Sequence, residues 1–331
     1  MGVTLYRSTD ASAPSLNGNS GSLISVLDAC LVNGYGSQPA AGWTKAYSGT
    51  NQADYKQGTG SNGYYLDVND NAPTTSQEAR MRGYEVMTAL GTGTNAFPTA
   101  SQSTFGVICR KSTATGTTAR TWYLIADATC FYLFVETGDN TSPIAPMCFA
   151  FGDFFSLKAS DTYGTMIIGR NVENANYVWQ ETFGALMFSQ GIMGTNTTPA
   201  HYIDRHWTGV GGAIGFNKCS SYFAHGSQNN NPVVMGSQYS LLPYPNGPDG
   251  GLELAPVYIV HGGFLRGYLK GIWCPCHNQP LSEGDTVTGT GNMSGKTFLA
   301  LNHYSTVTIA GNSMAGTGQG QVLIETSNTW S

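Results

Sequence analysis

A chain of 331 residues is long enough to bury a substantial core without disulfides, as one large β domain or two smaller units. Only 11% of its residues are charged, against about 25% in ordinary soluble domains, yet 18 Tyr, 14 Phe and 6 Trp exclude the aromatic-poor composition of a disordered chain. A net charge of −5 without any Lys/Arg cluster excludes a nucleic-acid-binding face, and a surface of Ser, Thr, Asn, Gly and Tyr leaves little repulsion between neighbouring copies.

The opening MGVTLYRSTDASAPSLNGNSGS has neither the basic start nor the apolar run of a signal peptide, and no later run approaches the length that spans a bilayer. The expectation is a chain made in a cytoplasm, with no membrane partner. In SGSLISVLDACLVNGYG, Leu23, Leu27, Cys30 and Leu31 recur at helical spacing. With Ser20 or Ser22 as cap and Asn33-Gly34 as stop, they predict one helix over about residues 20–33. QPAAGWTKAYSGTNQADYKQG and SNGYYLDVND then read as short strands joined by Gly/Asn turns, with Tyr64, Leu66 and Val68 alternating. ARMRGYEVMTAL reads as strand because aromatic and β-branched residues surround its glycine.

Between residues 104 and 170, TFGVICRKS, RTWYLIADATCFYLFVET, PMCFAFGDFFSLKAS and TYGTMIIGR are apolar on both faces, the pattern of strands in the middle of a sandwich. Residues 171–250 contain the loop-like GTNTTPA, GSQNNNP and PYPNGPDGG. LELAPVYIVHGGFLRGYLKGIWC resumes strands, and KTFLALNHYSTVTIAG and GQVLIETSNTW close as hairpin-like pairs. The expected fold is mainly β: antiparallel sandwich-like sheets with one short N-terminal helix. Residues 1–170 would form an anchoring segment, the helix and a β-rich unit. Residues 171–331 would form a looser region followed by a second β-rich unit, the alternative being that both parts make one domain.

Several fragments of catalytic motifs occur without their contexts. SGKT, ending in Gly295, Lys296 and Thr297, matches the end of a phosphate-binding loop, but the required first glycine falls on Thr290. Strand-like FLALNHYSTVTIAG follows where a helix is needed, so a glycine-rich turn between two strands is expected. GVGGAIG (Gly209 to Gly215) has its last glycine one residue late for a dinucleotide fingerprint. It follows HYIDRHW, read as no buried strand, and is expected to be a plain glycine loop.

HYIDRHW itself brings together His201, Asp204, Arg205 and His206, where a His/Asp pair could do acid–base work. Lacking a nucleophile elbow or a metal-binding helix, it is expected to be a surface loop with satisfied histidines. Asp153 and Asp161 flank FFSLKAS as a conceivable carboxylate pair for glycoside cleavage, but read as turn residues capping backbone N–H groups. CPCH (Cys274, Cys276, His277) lacks zinc-site spacing and a second ligand pair. The seven cysteines are expected to be buried thiols, with disulfide formation after release into an oxidising medium as the alternative. The residues thus assign no catalytic, cofactor-binding or metal-binding group.

Long blocks carry a resemblance. LYRSTDASAPSLNGNSGSLISVLDACLVNGYGSQPAAGWTKAYSGTNQADYKQG at the start closely resembles a family of uncharacterised virion structural proteins of tailed bacteriophages. The likeness continues through EARMRGYEVM, RTWYLIADATCFYLFV, FGDFFSLKASDTYGTMIIG, PLSEGDTVTGTGNMSGKTFLALN and GQVLIETSNTW, with residues 171–250 the least familiar. These blocks have no known catalytic role, so no functional residues carry over. The resemblance implies a non-enzymatic virion component without cofactors, acting by protein–protein assembly in the neck, tail or baseplate. Its partners would be other phage virion proteins and copies of itself. The alternatives are a capsid decoration protein on the head, or a tail module that grips host-surface glycan through Tyr, Trp and Asn in residues 171–250.

Overall fold

The computed structural model describes residues 2–71, 76–138, 147–170, 201–219, 247–275, 281–302 and 321–331. It is mainly β, built from antiparallel sheets, with one short helix, as the sequence pattern leads one to expect. The first sheet runs β2 (Thr44–Gly49), β3 (Gln52–Lys56), β4 (Tyr65–Asn69), β5 (Glu78–Ala89) and β6 (Thr92–Phe97) in order, with β7 (Val107–Arg110) also paired to the long β5. The second sheet runs β1 (Thr4–Arg7), β8 (Trp122–Ala126), β9 (Cys130–Val135), β10 (Met147–Asp153), β12 (Thr165–Ile168), β13 (His201–Ile203) and β14 (Ile214–Gly215). The third runs β15 (Asn217–Cys219), β16 (Leu254–His261), β17 (Phe264–Pro275), β20 (Gln321–Glu325), β19 (Thr297–Asn302) and β18 (Thr286–Thr288), with the two-residue β11 (Phe155–Ser156) against β17.

The runs that are apolar on both faces explain the layering. Every residue of β9 and β10 is buried, because successive side chains point to opposite faces and both faces are covered. Phe131, Leu133, Val135, Phe149 and Phe151 pack toward the first sheet, on Tyr55, Leu66, Met81 and Phe97. Tyr132, Phe134, Cys148 and Ala150 pack toward the third, on Val257, Ile259, Leu299 and Ile324. The second sheet is therefore the middle of three layers. It also runs across residues 170/171, where the sequence suggested a division, because Ile168 of β12 pairs with His201 of β13.

The helix is shorter than expected. Ser22–Leu27 is α-helical, and Asp28–Asn33 continues as a wider π-helical turn that Gly34 closes with an N–H to the Ala29 carbonyl at 2.8 Å. Leu23, Leu27, Cys30 and Leu31 are fully buried, so the helical spacing was correctly read; each such apolar side chain contributes roughly 1.5–3 kcal/mol by burial. The cap was not. Ser22 turns its hydroxyl back to the Asn17 and Asn19 carbonyls, and the first-turn N–H of Leu23 is taken instead by the Asp70 carboxylate at 2.8 Å. Asp70 also pairs with Lys111 at the start of the β7–β8 connection, both side chains being fully excluded from solvent. Lys111 completes its bonding on the Asn19 carbonyl at 2.7 Å, so one buried cation joins the N-terminal segment, the helix start and the first sheet. Among the described residues no helix is long and apolar enough to cross a membrane.

Candidate functional site

The HYIDRHW segment begins as a strand, which corrects its reading as a surface loop. His201, Tyr202 and Ile203 are buried in β13, paired with Ile168, Ile167 and Met166. Three residues are too few to show a period, and the apolar Tyr202 and Ile203 complete the middle sheet. Asp204 follows at 2% exposure. Its carboxylate accepts the Tyr64 hydroxyl at 3.0 Å and lies 3.4 Å from the Arg205 Nε. Arg205 pairs in turn with Glu85 of β5, which also takes the Asn95 side-chain amide at 2.6 Å. Burial first, then the neighbouring Glu85 carboxyl, pushes Asp204 up to about 7. Such a group could exchange a proton near neutrality, but every bond it makes is internal. Its effect is to tie the middle sheet to the first.

His206 and Trp207 face the third sheet. Their rings lie 3.6 Å apart, and Trp207 meets His261 of β16 at 6.1 Å and Phe264 of β17 at 5.2 Å, both edge-on. His261 is buried with no partner on Nδ1, and burial, with Arg266 and His206 nearby, holds it neutral down to about pH 4. Beneath this group Arg266 is fully enclosed. It makes two bonds to Asp161, at 3.0 and 2.9 Å, and donates to the Arg205 and Tyr163 carbonyls at 2.5 and 2.8 Å. Although burial opposes it, the Arg266 and Ser156 bonds hold the Asp161 carboxyl below its usual range.

On this rigid base the β16–β17 hairpin turns through Gly262 and Gly263, with φ of +58° and +82°, the pair of positive values that a two-residue turn matched to strand twist requires. The tip carries Phe264 and Leu265 at 60% and 47% exposure. Val210 on the adjoining turn and Leu157 beside Arg266 are 71% and 59% exposed. Four of the six strongly exposed large apolar side chains among the described residues thus lie on these three neighbouring segments. Exposed apolar side chains scattered singly need no explanation, whereas a group on a stiff support is what a protein partner grips.

The other motif fragments are structural. Residues 289–296 connect β18 to β19 as the expected glycine-rich turn, and the Lys296 ammonium bonds the buried Glu325 at 2.8 Å and the Ser331 hydroxyl at 2.6 Å. Lys296→Ala is expected to cost about 1.5–3 kcal/mol, the range for hydrogen bonds to charged groups, while titration calorimetry with ATP is expected to give no heat of binding to either protein. GVGGAIG links β13 to β14 as a hairpin loop, since Ile203 pairs with Ile214.

Asp153 and Asp161 belong to separate networks. Asp161 caps the Tyr163 N–H at 3.1 Å as a turn residue should. Asp153 ends β10 instead of a turn, and it takes the Gln57 amide, the Thr165 hydroxyl and the Asn62 N–H. Of the CPCH run, Cys274 is buried in β17, while Cys276 and His277 lie outside the described residues. No group of three metal-ligating side chains occurs among the described residues.

Cys30, Cys109, Cys130, Cys148 and Cys274 are buried thiols, and burial pushes Cys30, Cys109 and Cys130 well above the usual thiol range. Buried thiols of this kind are inert. A thiol reagent should therefore reach no more than the remaining two of the seven, Cys219 and Cys276, in the native protein and all seven after denaturation. Absorbance titration with a chromogenic disulfide reads both counts.

No protein-family model matches this chain, and no curated protein sequence is similar to it.

Proposed function

We propose that this protein is a structural component of a tailed-bacteriophage virion that acts by protein–protein contact in the neck, tail or baseplate, and is not an enzyme. The observation that carries the reading is the exposed apolar tip of the β16–β17 hairpin, Phe264 and Leu265, held on a base whose arginine and carboxylate are fully bonded. A rigid apolar projection loses little conformational freedom when a partner covers it. The 11% charge content favours close packing of many copies, and the block-by-block resemblance in the sequence supplies the virion context. The carboxylates that might do chemistry, Asp153, Asp161 and Asp204, are each committed to internal bonds. The test is sedimentation of phage particles through a density gradient after a high-salt wash. A virion component bands with the particles, and recovery only in the soluble fraction removes the proposal.

A further inference from the structure

The outer face of the first sheet carries a cross-strand row of Tyr47, Asp54, Asp67 and Arg82, set by the pairings of β2 to β3, β3 to β4 and β4 to β5. The tip of the β5–β6 hairpin covers this row. Leu90 lies against Gly49, the Tyr47 hydroxyl reaches the Met87 carbonyl at 3.4 Å, and the Gly91 N–H donates to Asp54 Oδ2 at 3.1 Å. Asp54 is fully buried, and its other oxygen, Oδ1, has no donor from the protein. Asp54 stands directly opposite Asp67 across β3 and β4, and Asp67 also takes the Gln52 amide at 3.3 Å. Two carboxylate oxygens in contact are both acceptors, so only a proton between them can make the bond. Gly91 already uses Oδ2, so a shared proton would sit on Asp54 Oδ1 and be donated to Asp67, which lies opposite Arg82.

We propose that a single proton shared by Asp54 and Asp67 latches the β5–β6 hairpin tip to its sheet, and that loss of this proton releases the tip. Without the proton, the buried Asp54 charge would meet that of the half-buried Asp67, and drawing Asp54 away would pull on the Gly91 turn bonded to it. The groups facing the pair are Arg82 and Tyr84 from β5 and Tyr47 from β2, with Tyr55 behind it. Only Arg82 offsets the charge, and it is also bonded to the Ser103 and Thr104 carbonyls. Burial, then Asp67, pushes Asp54 up to about 8. A carboxyl raised in the folded state contributes stability that is complete below its unfolded value, near 4, and lost as pH rises through about 8. The same hairpin is held a second time by the ion pair of Glu85 with Arg205.

Amide hydrogen exchange of the whole chain tests this, with each rate corrected for its intrinsic pH dependence. Protection of the Gly91 N–H should fall at least about tenfold between about pH 6 and pH 9 in the native protein. Asp54→Asn keeps an oxygen for Gly91 and an N–H for Asp67 without a titrating proton, so its Gly91 protection should stay flat. A flat native profile, or the same fall in the variant, would overturn the latch. Should the variant not fold, carbon NMR titration of native Asp54 decides: a midpoint at least about two units above ordinary aspartate supports it, and any lower midpoint rejects it.

Discussion

Lys111→Met is expected to destabilise the protein by about 3–5 kcal/mol, the cost of leaving one member of a buried ion pair without its partner. Both side chains are shut off from solvent, and Lys111 serves three partners: Asp70, the Asn19 carbonyl and the Ser22 hydroxyl. The loss should depend on pH. Burial already outweighs Lys111 and holds Asp70 up at about 6. Such a group gives its full stabilisation below the unfolded value near 4 and loses it as pH rises through 6. Removing the lysine raises Asp70 further, so the variant should lose stability with increasing pH more steeply than the native protein. Denaturant unfolding at acid and neutral pH measures the difference. Adding Asp70→Asn, which keeps an acceptor for Leu23 and removes the orphan charge, should restore more than half of the loss.

Phe264→Asp with Leu265→Asp should act in the opposite sense, harmless to the fold and severe for assembly. The two side chains are largely exposed and only the Phe264 ring meets a neighbour, edge-on at Trp207, so unfolding stability should change by no more than about 1.5 kcal/mol. A partner that buries both would instead meet two desolvated charges. Interface anchors are typically worth about 2 kcal/mol or more each when merely truncated, so the variant should enter particles at least about tenfold less well than the native chain. Complementation with each form, followed by blotting of purified particles, reads the ratio. Equal incorporation would show that assembly uses another surface.

The contrast between these two substitutions marks what could be read from residue order. Strands were legible wherever an apolar pattern ran longer than about four residues, as in CFYLFV and MCFAFGD, since burial on both faces leaves no polar alternation to misread. The three-residue β13 was not, because HYI shows no period and its partner strand ends 33 positions earlier, at Ile168 against His201. Caps and ion pairs were hidden for a related reason. Asp70 reaches the helix from 47 positions away, so Ser22 looked like the better cap. In HYIDRHW, expected to be a surface loop, Asp204 is a buried tie between sheets, while the adjoining Trp207 borders the apolar tip. Phe264 and Leu265 read as ordinary strand residues after a Gly-Gly turn. Their exposure depends on how far the hairpin projects past its neighbours, which no local pattern records.

On the proposed reading, low charge and the apolar tip suit a protein that would work by being built into a particle in a defined number of copies. Quantitative mass spectrometry of gradient-purified particles, against the major capsid protein, counts those copies directly. A neck, baseplate or fibre component is expected at about three to twelve per particle, matching a closed ring or a trimer, and a decoration protein would stand in the hundreds. A count well below one per particle would contradict membership of the virion altogether.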